Sequence, residues 1–213
     1  MKCMSCDGLG GWEQAGSAFA ACLACGGTGQ HPRYVKGDAT RPIVTNRPGL
    51  IMHIVNDRGG WGRGFVVALS KRSPHPEAAY REWHATGRSG DGHRFELGQI
   101  QVVTIDHTPM TVYDATGEVR TVPTLSVVNM VSQAGYGKNN LQRHRSAEPD
   151  TTPPIRYDAL EACLSKVSQA AAHLGAEIFC PKIGSGLAQG NWSLIEDMIN
   201  RVLKGVSVTV YEL

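Results

Sequence analysis

The stretch His53-Ile-Val-Asn-Asp-Arg-Gly-Gly-Trp-Gly-Arg-Gly-Phe65 decides the fold of this chain. The apolar run 50–55, which leads into it, predicts a buried strand, and residues 65–72 have the periodicity of a helix start. Between strand and helix lie four glycines within six residues: Gly59, Gly60, Gly62 and Gly64. Such a loop gathers backbone N–H groups at a helix N-terminus, where the helix dipole adds partial positive charge. We therefore expect an anion-binding site here.

A second stretch repeats the order of strand, glycine loop and helix. Residues 177–183 are the predicted strand, Gly184-Ser-Gly-Leu-Ala-Gln-Gly-Asn191 is the loop, and a helix begins at Trp192. Neither loop has the Lys-Ser/Thr of a Walker A motif or the glycine spacing of a dinucleotide fingerprint. Each loop alone is consistent with an ordinary turn, but two in one α/β domain indicate a ligand held from both sides, such as a pyrophosphate.

Composition restricts the class of protein. A chain of 213 residues holds one full domain and a small appendage. The formal net charge of +2 provides no basic field for nucleic acid, and no apolar run approaches the roughly 18 residues of a membrane span. The N-terminus lacks the apolar region of a signal peptide, so export is not expected. Six cysteines in such a chain indicate metal binding or free thiols in a reducing cytoplasm.

Residues 1–33 form the predicted appendage. Cys3-x-x-Cys6 and Cys22-x-x-Cys25 are separated by fifteen residues, a spacing typical of a tetrahedral four-thiolate zinc site. Redox-active or accidental cysteine pairs are the alternative. A segment this small has almost no core, so zinc would supply most of its folding free energy. The glycines after each pair resemble the CxxCxGxG repeat of DnaJ-type zinc ribbons, and we expect a structural or protein-docking module, or a contact with nucleic acid.

The rest of the chain alternates strands and helices, which predicts a mainly parallel or mixed sheet between helical layers. A short predicted strand begins at Tyr34 and ends in Gly37-Asp38. Further predicted strands are 98–105, 111–113, 124–131 and 207–211, and further predicted helices are 77–83, 157–174 and 192–203. Residues 134–154 carry charge, Asn and Pro but little apolar periodicity, so we expect a mobile loop over the site.

Several motifs occur in the order found in one known family. They are Val35-Lys-Gly-Asp38, His53-Ile-Val-Asn56, Gly60-Trp-Gly-Arg-Gly64, Pro181-Lys-Ile-Gly-Ser-Gly-Leu187 with Trp192, and Val208-Thr-Val-Tyr-Glu-Leu213. Together they resemble the macrodomains, which bind ADP-ribose. The resemblance implies a three-layer α/β/α fold with a mixed, mostly parallel central sheet over residues 34–213, preceded by the zinc ribbon of residues 1–33. The ADP-ribose 1''-phosphate phosphatase and terminal ADP-ribose glycohydrolase branches are the most similar.

The resemblance also implies roles in binding. Asp38 would accept a hydrogen bond from the adenine amino group, with the Ala39 backbone beside it, and Asn56 would face the distal ribose. Trp61 and Phe65 would wall the ribose pocket, although aromatic residues beside a glycine loop are as often core. Arg63 would clamp phosphate oxygens or face solvent. The loops would hold the diphosphate through Gly62, Arg63, Gly64 and Phe65 and through Gly184, Ser185, Gly186, Leu187 and Ala188.

Catalysis is implied less directly. Where the glycohydrolase branch has its lysine, this chain reads Ser132-Gln133, and its aspartate position is Ala188, so a lysine-linked intermediate is not expected. The histidine of the phosphatase branch aligns with His53, which would activate water or protonate a leaving group. A strand histidine bonded to backbone is the alternative. Asp57 would position water, or is a solvated loop acid.

These observations predict a cytoplasmic protein that binds ADP-ribose or a derivative. Hydrolysis of ADP-ribose 1''-phosphate is one expected activity. A non-catalytic reader of an ADP-ribosylated protein or nucleic acid, and an ADP-ribosyl hydrolase that works without the lysine, are the alternatives. Tyr136 and Lys138 would close over the ligand if the loop 134–154 folds down, and an exposed, disordered segment is the alternative.

Overall fold

A computed structural model describes residues 11–14, 17–21, 32–44, 47–106, 110–113, 119–122, 125–136 and 152–213. Three sequence-based expectations lie outside these ranges: the zinc ligands Cys3, Cys6, Cys22 and Cys25, the lid residue Lys138, and most of the expected loop 134–154. Within the described ranges, no helix has the length and apolar character needed to cross a membrane.

Six of the described strands form a central sheet in the order β3-β10-β9-β4-β8-β5. All neighbouring strands are parallel except β5, which pairs antiparallel with β8 at one edge. The prediction of a mixed, mostly parallel sheet is therefore confirmed. The strands are β3 (Arg33–Lys36), β4 (Gly49–Asn56), β5 (Ile100–Asp106), β8 (Leu125–Gln133), β9 (Glu177–Pro181) and β10 (Val208–Glu212).

Two further antiparallel hairpins pair β1 (Gly11–Gln14) with β2 (Ser17–Ala21), and β6 (Met110–Tyr113) with β7 (Val119–Val122). Only β6 was expected from the sequence. The other three strands have four or five residues each, too few for an alternating pattern to stand out from a loop.

Four described helices cover the sheet: α1 (Phe65–Arg72), α2 (His75–Thr86), α3 (Tyr157–Leu174) and α4 (Trp192–Val202). The prediction for α3 matches both of its ends, where Gly175 takes the left-handed conformation of a helix C-cap. The prediction for α2 was too short. Pro76 lies in its first turn, where a missing N–H costs nothing, so the helix begins two residues earlier, at His75, and it continues to Thr86, with Gly87 as its C-cap.

Each face of the sheet packs on two helices. On one face, Leu50 and Met52 of β4 belong to a buried cluster with residues of α3 and α4 such as Leu164 and Ile195. On the other face, Ile51 and Val55 pack with Leu69, Tyr80 and Trp83 of α1 and α2. Because both faces of the sheet are covered by helices, β4 is apolar almost without interruption, as is typical of strands in parallel sheets.

This topology places both glycine loops at one edge of the sheet, the edge formed by the carboxyl ends of its parallel strands. β4 and β9 are parallel neighbours, so their carboxyl ends point the same way. The first glycine loop (residues 57–64) follows β4 and leads into α1, and the second (residues 182–191) follows β9 and leads into α4. The strand before the second loop ends at Pro181, two residues earlier than predicted.

Candidate functional site

The two glycine loops touch. A Cβ placed on Gly64 would lie 3.3 Å from Cδ1 of Leu187, whose side chain is 59% exposed. Gly64 has φ 78° and ψ −147°, a backbone conformation that other residues avoid, and it provides no side-chain cap for α1. We call the region around this contact the loop junction.

Several backbone amides of the two loops and the start of α1 have no acceptor in the described part of the chain. The N–H groups of eight residues donate no hydrogen bond to any described residue: Gly62, Arg63, Gly64, Phe65 and Val66 from the first loop and α1, and Ser185, Gly186 and Leu187 from the second loop. Free amides at a helix N-terminus favour an anion. Seven of these eight residues, all except Val66, are among those that the resemblance assigns to a diphosphate.

The second loop keeps its shape through internal hydrogen bonds. The Gly190 amide donates to the Gly184 carbonyl oxygen at 2.8 Å, and that of Gln189 donates to Gly186 at 2.9 Å. The carbonyl oxygen of Ala188, which is 3% exposed, accepts from the Ile155 amide at 3.2 Å. These bonds use carbonyl groups of the loop, and the amides of Ser185, Gly186 and Leu187 at its tip have no acceptor among the described residues.

Asn56 supports the first loop from within. Its Nδ2 donates to the Gly60 carbonyl oxygen at 2.6 Å, and its Oδ1 accepts from the amides of Arg58 and Gly60 at 2.9 and 3.0 Å. The side chain predicted to face a ribose thus makes three bonds to its own loop. Its contact with a ribose stays a prediction.

Asp57 connects the first loop to the end of β8. Its Oδ1 accepts from the Gly135 amide at 2.7 Å, and its own amide donates to the Gln133 carbonyl oxygen at 2.9 Å. The ring of the next residue, Tyr136, lies against Gly60, where a Cβ would be 2.8 Å from it. The carboxylate therefore has a supporting role, and its positioning of water is untested.

His53 lies below the first loop in the interior. Only 2% of the residue is exposed, and its ring packs edge-on against Trp61 at 5.4 Å and against Phe65 at 5.8 Å between centroids. Burial lowers the pKa of the imidazole to about 4, so it is neutral near pH 7. This placement disfavours direct catalysis by His53, because almost none of the residue is exposed.

The buried side chain of Asn129 fixes the tautomer of His53. Nε2 lies 2.6 Å from Oδ1 of Asn129, and the Nδ2 of Asn129 donates to the Pro76 carbonyl oxygen and to Gln101 Oε1, both at 3.1 Å. Because the amide oxygen faces the ring, Nε2 carries the proton. Nδ1 is buried without a hydrogen-bond partner among the described residues. The sequence analysis missed Asn129, although a polar residue within a buried strand was a usable signal.

The remaining predicted residues divide between core and surface. Trp61 is 8% exposed and its Nε1 donates to Ser70 Oγ at 2.7 Å, so it is core, one of the two alternatives, and Phe65 packs partly against the same cluster. Arg63 is exposed. The side chain of Asp38 accepts from the amide and hydroxyl of Thr40, both at 2.8 Å, beside the buried Ala39.

Asp38 follows β3, which lies two strands from β9 in the same parallel set, so it belongs to the same edge as the two loops. The residues predicted for ligand binding are thus brought to one edge of the sheet. Among the described residues, no group of three or more His, Cys, Asp or Glu side chains suits a metal ion.

Comparisons with solved structures give close matches over most of the chain. A protein of unknown function from Bacteroides thetaiotaomicron is 38% identical, over 86% of this chain and 98% of that one, with a TM-score of 0.67. A macrodomain protein from Streptomyces coelicolor is 36% identical, over 86% of this chain and 99% of that one, with a TM-score of 0.62. DarTG of Thermosipho africanus, in complex with ADP-ribose, shares the fold at 15% identity, over 85% of this chain and 41% of that one, with a TM-score of 0.54.

Among curated proteins, the chromodomain-helicase-DNA-binding protein 1-like of Danio rerio is 29% identical over 182 residues, which are 84% of this chain. The match covers 15% of that protein, and the corresponding match in Mus musculus covers 17%. This chain therefore corresponds to a small part of these relatives. No family model matches the sequence.

The buried His53 predicts a pH dependence of stability. Its pKa is about 4 in the folded state, against about 6.5 when unfolded. The unfolded chain therefore binds the proton more readily, and stability falls as the pH drops from 6.5 towards 4. From pH 7.5 to pH 5 this group should cost about 2 kcal/mol of the free energy of unfolding, measured by urea denaturation.

The control is His53→Gln, which keeps a donor towards Asn129 but does not titrate. The wild type should lose about 2 kcal/mol more than this variant over that pH range. Equal losses in the two proteins, or an imidazole that titrates near pH 6.5 by NMR, would contradict the described burial.

Proposed function

This chain belongs to the macrodomain family, and from that premise we propose that it binds ADP-ribose or a derivative at the loop junction. The observation that carries the proposal is the set of unpaired amides on two loops in contact. A diphosphate brings oxygens that accept from several amides at once, and these amides have no other described acceptor. DarTG, which has the same fold, was solved with ADP-ribose bound.

The position of Asp38 supports the choice of an adenine nucleotide. Neighbouring strands are about 4.8 Å apart, so the two-strand step from β9 to β3 separates Asp38 from the second loop by on the order of 10 Å. This distance is about the length of one nucleoside placed between the diphosphate and the Asp38 carboxylate. The adenine amino group would donate to Asp38, because a carboxylate only accepts.

Introducing a carboxylate at the loop junction should prevent binding. Gly62 and Gly186 have no atom within 4 Å of an added Cβ and no positive φ, so Gly62→Asp and Gly186→Asp should fold normally. Each should weaken ADP-ribose binding about 30-fold or more, or about 2 kcal/mol, measured by calorimetric titration. Wild-type affinity is expected to be micromolar or tighter, about −8 kcal/mol.

The matched control is Gly90→Asp, at an exposed glycine with the same free space around its Cβ. Its affinity should equal that of the wild type. ATP and NAD, titrated in parallel, should bind more weakly than ADP-ribose. A folded wild type without ADP-ribose binding, or Asp variants with unchanged affinity, would refute the proposed site.

The surroundings of His53 favour binding over hydrolysis. An imidazole that is 2% exposed and packs against Trp61 and Phe65 has almost no surface with which to reach a ribose phosphate. The lysine of the glycohydrolase branch is replaced by Ser132-Gln133. We therefore propose a reader of ADP-ribosyl groups, on a protein or a nucleic acid, as the function that the site supports best.

A phosphate-release assay separates the reader from the phosphatase. The wild type, incubated with ADP-ribose 1''-phosphate, should release phosphate no faster than buffer. The assay is repeated with His53→Gln and with the Gly186→Asp variant. Release by the wild type that His53→Gln abolishes, with ADP-ribose affinity intact, would overturn the reader and establish His53 as catalytic.

We also propose that residues 1–33 hold a structural zinc ion through Cys3, Cys6, Cys22 and Cys25. The β1–β2 hairpin supports this site, because it pairs Gly11 with Ala21. Cys22 follows Ala21 directly, so the chain segments that carry the two cysteine pairs attach to the same end of the hairpin. Four thiolates would satisfy tetrahedral zinc there and stabilise a segment too small for its own core.

Metal analysis tests the ribbon. Protein purified under reducing conditions should contain about one zinc per chain, and the double variant Cys6→Ser/Cys25→Ser should contain almost none. Cys180→Ala is the control, because this thiol is buried in the sheet and should leave zinc content unchanged. A wild type without zinc after growth in zinc-supplemented medium would contradict the proposal.

A further inference from the structure

Helix α2 holds the first glycine loop from behind. The guanidinium of Arg81 donates from Nη1 to the Gly59 carbonyl oxygen at 3.3 Å and from Nη2 to the Trp61 carbonyl oxygen at 3.2 Å. Both acceptors are main-chain groups of the loop. About half of the Arg81 side chain is exposed, and the sequence analysis gave it no role.

Peptide geometry converts these two bonds into a direction for the amides. In a trans peptide the C=O and N–H groups point in opposite directions, and no described peptide bond is cis. Because the Trp61 carbonyl points towards Arg81, the Gly62 N–H in the same peptide points away from α2. That N–H is one of the unpaired amides of the loop junction.

The Gly59–Gly60 peptide, two residues earlier, has the same orientation, and its N–H has an acceptor. The Gly59 carbonyl also points towards Arg81, and the Gly60 N–H of that peptide donates to Asn56 Oδ1. Arg81 and Asn56 therefore hold the loop from opposite sides. The Gly62 amide has no such acceptor among the described residues, so a ligand oxygen would take the place there that Asn56 takes for Gly60.

A chain of hydrogen bonds fixes Arg81 itself. Its Nε donates to Glu77 Oε1 at 2.9 Å, Glu77 Oε2 accepts from Ser70 Oγ at 2.7 Å, and Ser70 Oγ accepts from Trp61 Nε1 at 2.7 Å. The Ser70 hydroxyl, and then Arg81, lower the pKa of the Glu77 carboxyl, which is ionised at neutral pH. The network closes on Trp61, which is held by both its carbonyl and its indole.

We infer that Arg81 is a positioning residue for ADP-ribose, which acts through the Gly62 amide without touching the ligand. The inference rests on the proposed function. It identifies Arg81 rather than any cation, because a planar guanidinium serves two carbonyl groups and a carboxylate at once, whereas an ammonium lacks this fixed fork. Preorganised donors bind more tightly because their ordering does not have to occur on binding.

The test compares Arg81→Gln, Arg81→Lys and the control Arg88→Gln by calorimetric titration with ADP-ribose. Arg88 is an exposed arginine that donates to the Gly92 carbonyl oxygen, outside the network. Arg81→Gln should weaken binding about tenfold, Arg81→Lys should restore part of the loss, and Arg88→Gln should match the wild type. Glu77→Gln, which weakens the anchor but keeps Arg81, should fall between.

NMR of the ligand-free proteins distinguishes a positioning role of Arg81 from a general effect on stability, which would not change individual amide resonances of the first loop. In Arg81→Gln, the amide resonances of Gly62 and Arg63 should shift, while those of Gly186 and Leu187 in the second loop stay in place. A wild type that binds while Arg81→Gln and Glu77→Gln bind equally well overturns the inference alone. A folded wild type that does not bind ADP-ribose overturns the proposed function and the inference together.

Discussion

The parallel pairing of β4 with β9 is the constraint on which the site depends. Gly49, Leu50 and Ile51 lie opposite Glu177, Ile178 and Phe179, and this register makes both strands end at one edge. Glycine at the start of the pairing leaves room for two neighbouring side chains, since a Cβ on Gly49 would lie 2.9 Å from Cδ1 of Leu125 and 3.0 Å from Cε2 of Phe179. Two loops far apart in sequence thereby come into contact through Gly64 and Leu187.

Buried polar side chains connect this sheet to helix α2. His53 and Asn129 are buried at the centre of the sheet, where unpaired polar atoms are expensive. Asn129 satisfies its amide through His53, Gln101 and the Pro76 carbonyl oxygen, and so connects the sheet to the start of α2. The same helix carries Glu77 and Arg81, so the packing of α2 and the shape of the first glycine loop depend on each other.

The features that could be predicted from the sequence are those that depend on local sequence patterns. Both glycine loops, the ends of α3 and the mostly parallel sheet follow from periodicity and glycine placement, signals that act over a few residues. The run 50–55 predicted a buried strand, but the packing of the His53 ring was not predictable, because it involves Trp61 and Phe65, which lie eight and twelve residues further along the chain. Arg81 was missed because its partners belong to another element, and an exposed arginine on a helix gives no sign of the carbonyl groups it serves.

The parallel pairing of β3 with β10 also determines how the domain can be tethered. The amide of Gly37 donates to the carbonyl oxygen of Glu212 at 2.9 Å, so the last strand finishes beside the turn that carries Asp38. Arg33 lies opposite Thr209, so the chain enters β3 at the other end of the sheet. A purification tag or surface linker fused after Leu213 would emerge at the carboxyl ends of the parallel strands and crowd the proposed adenine position, whereas a linker joined directly before Arg33 would attach at the opposite ends of the strands.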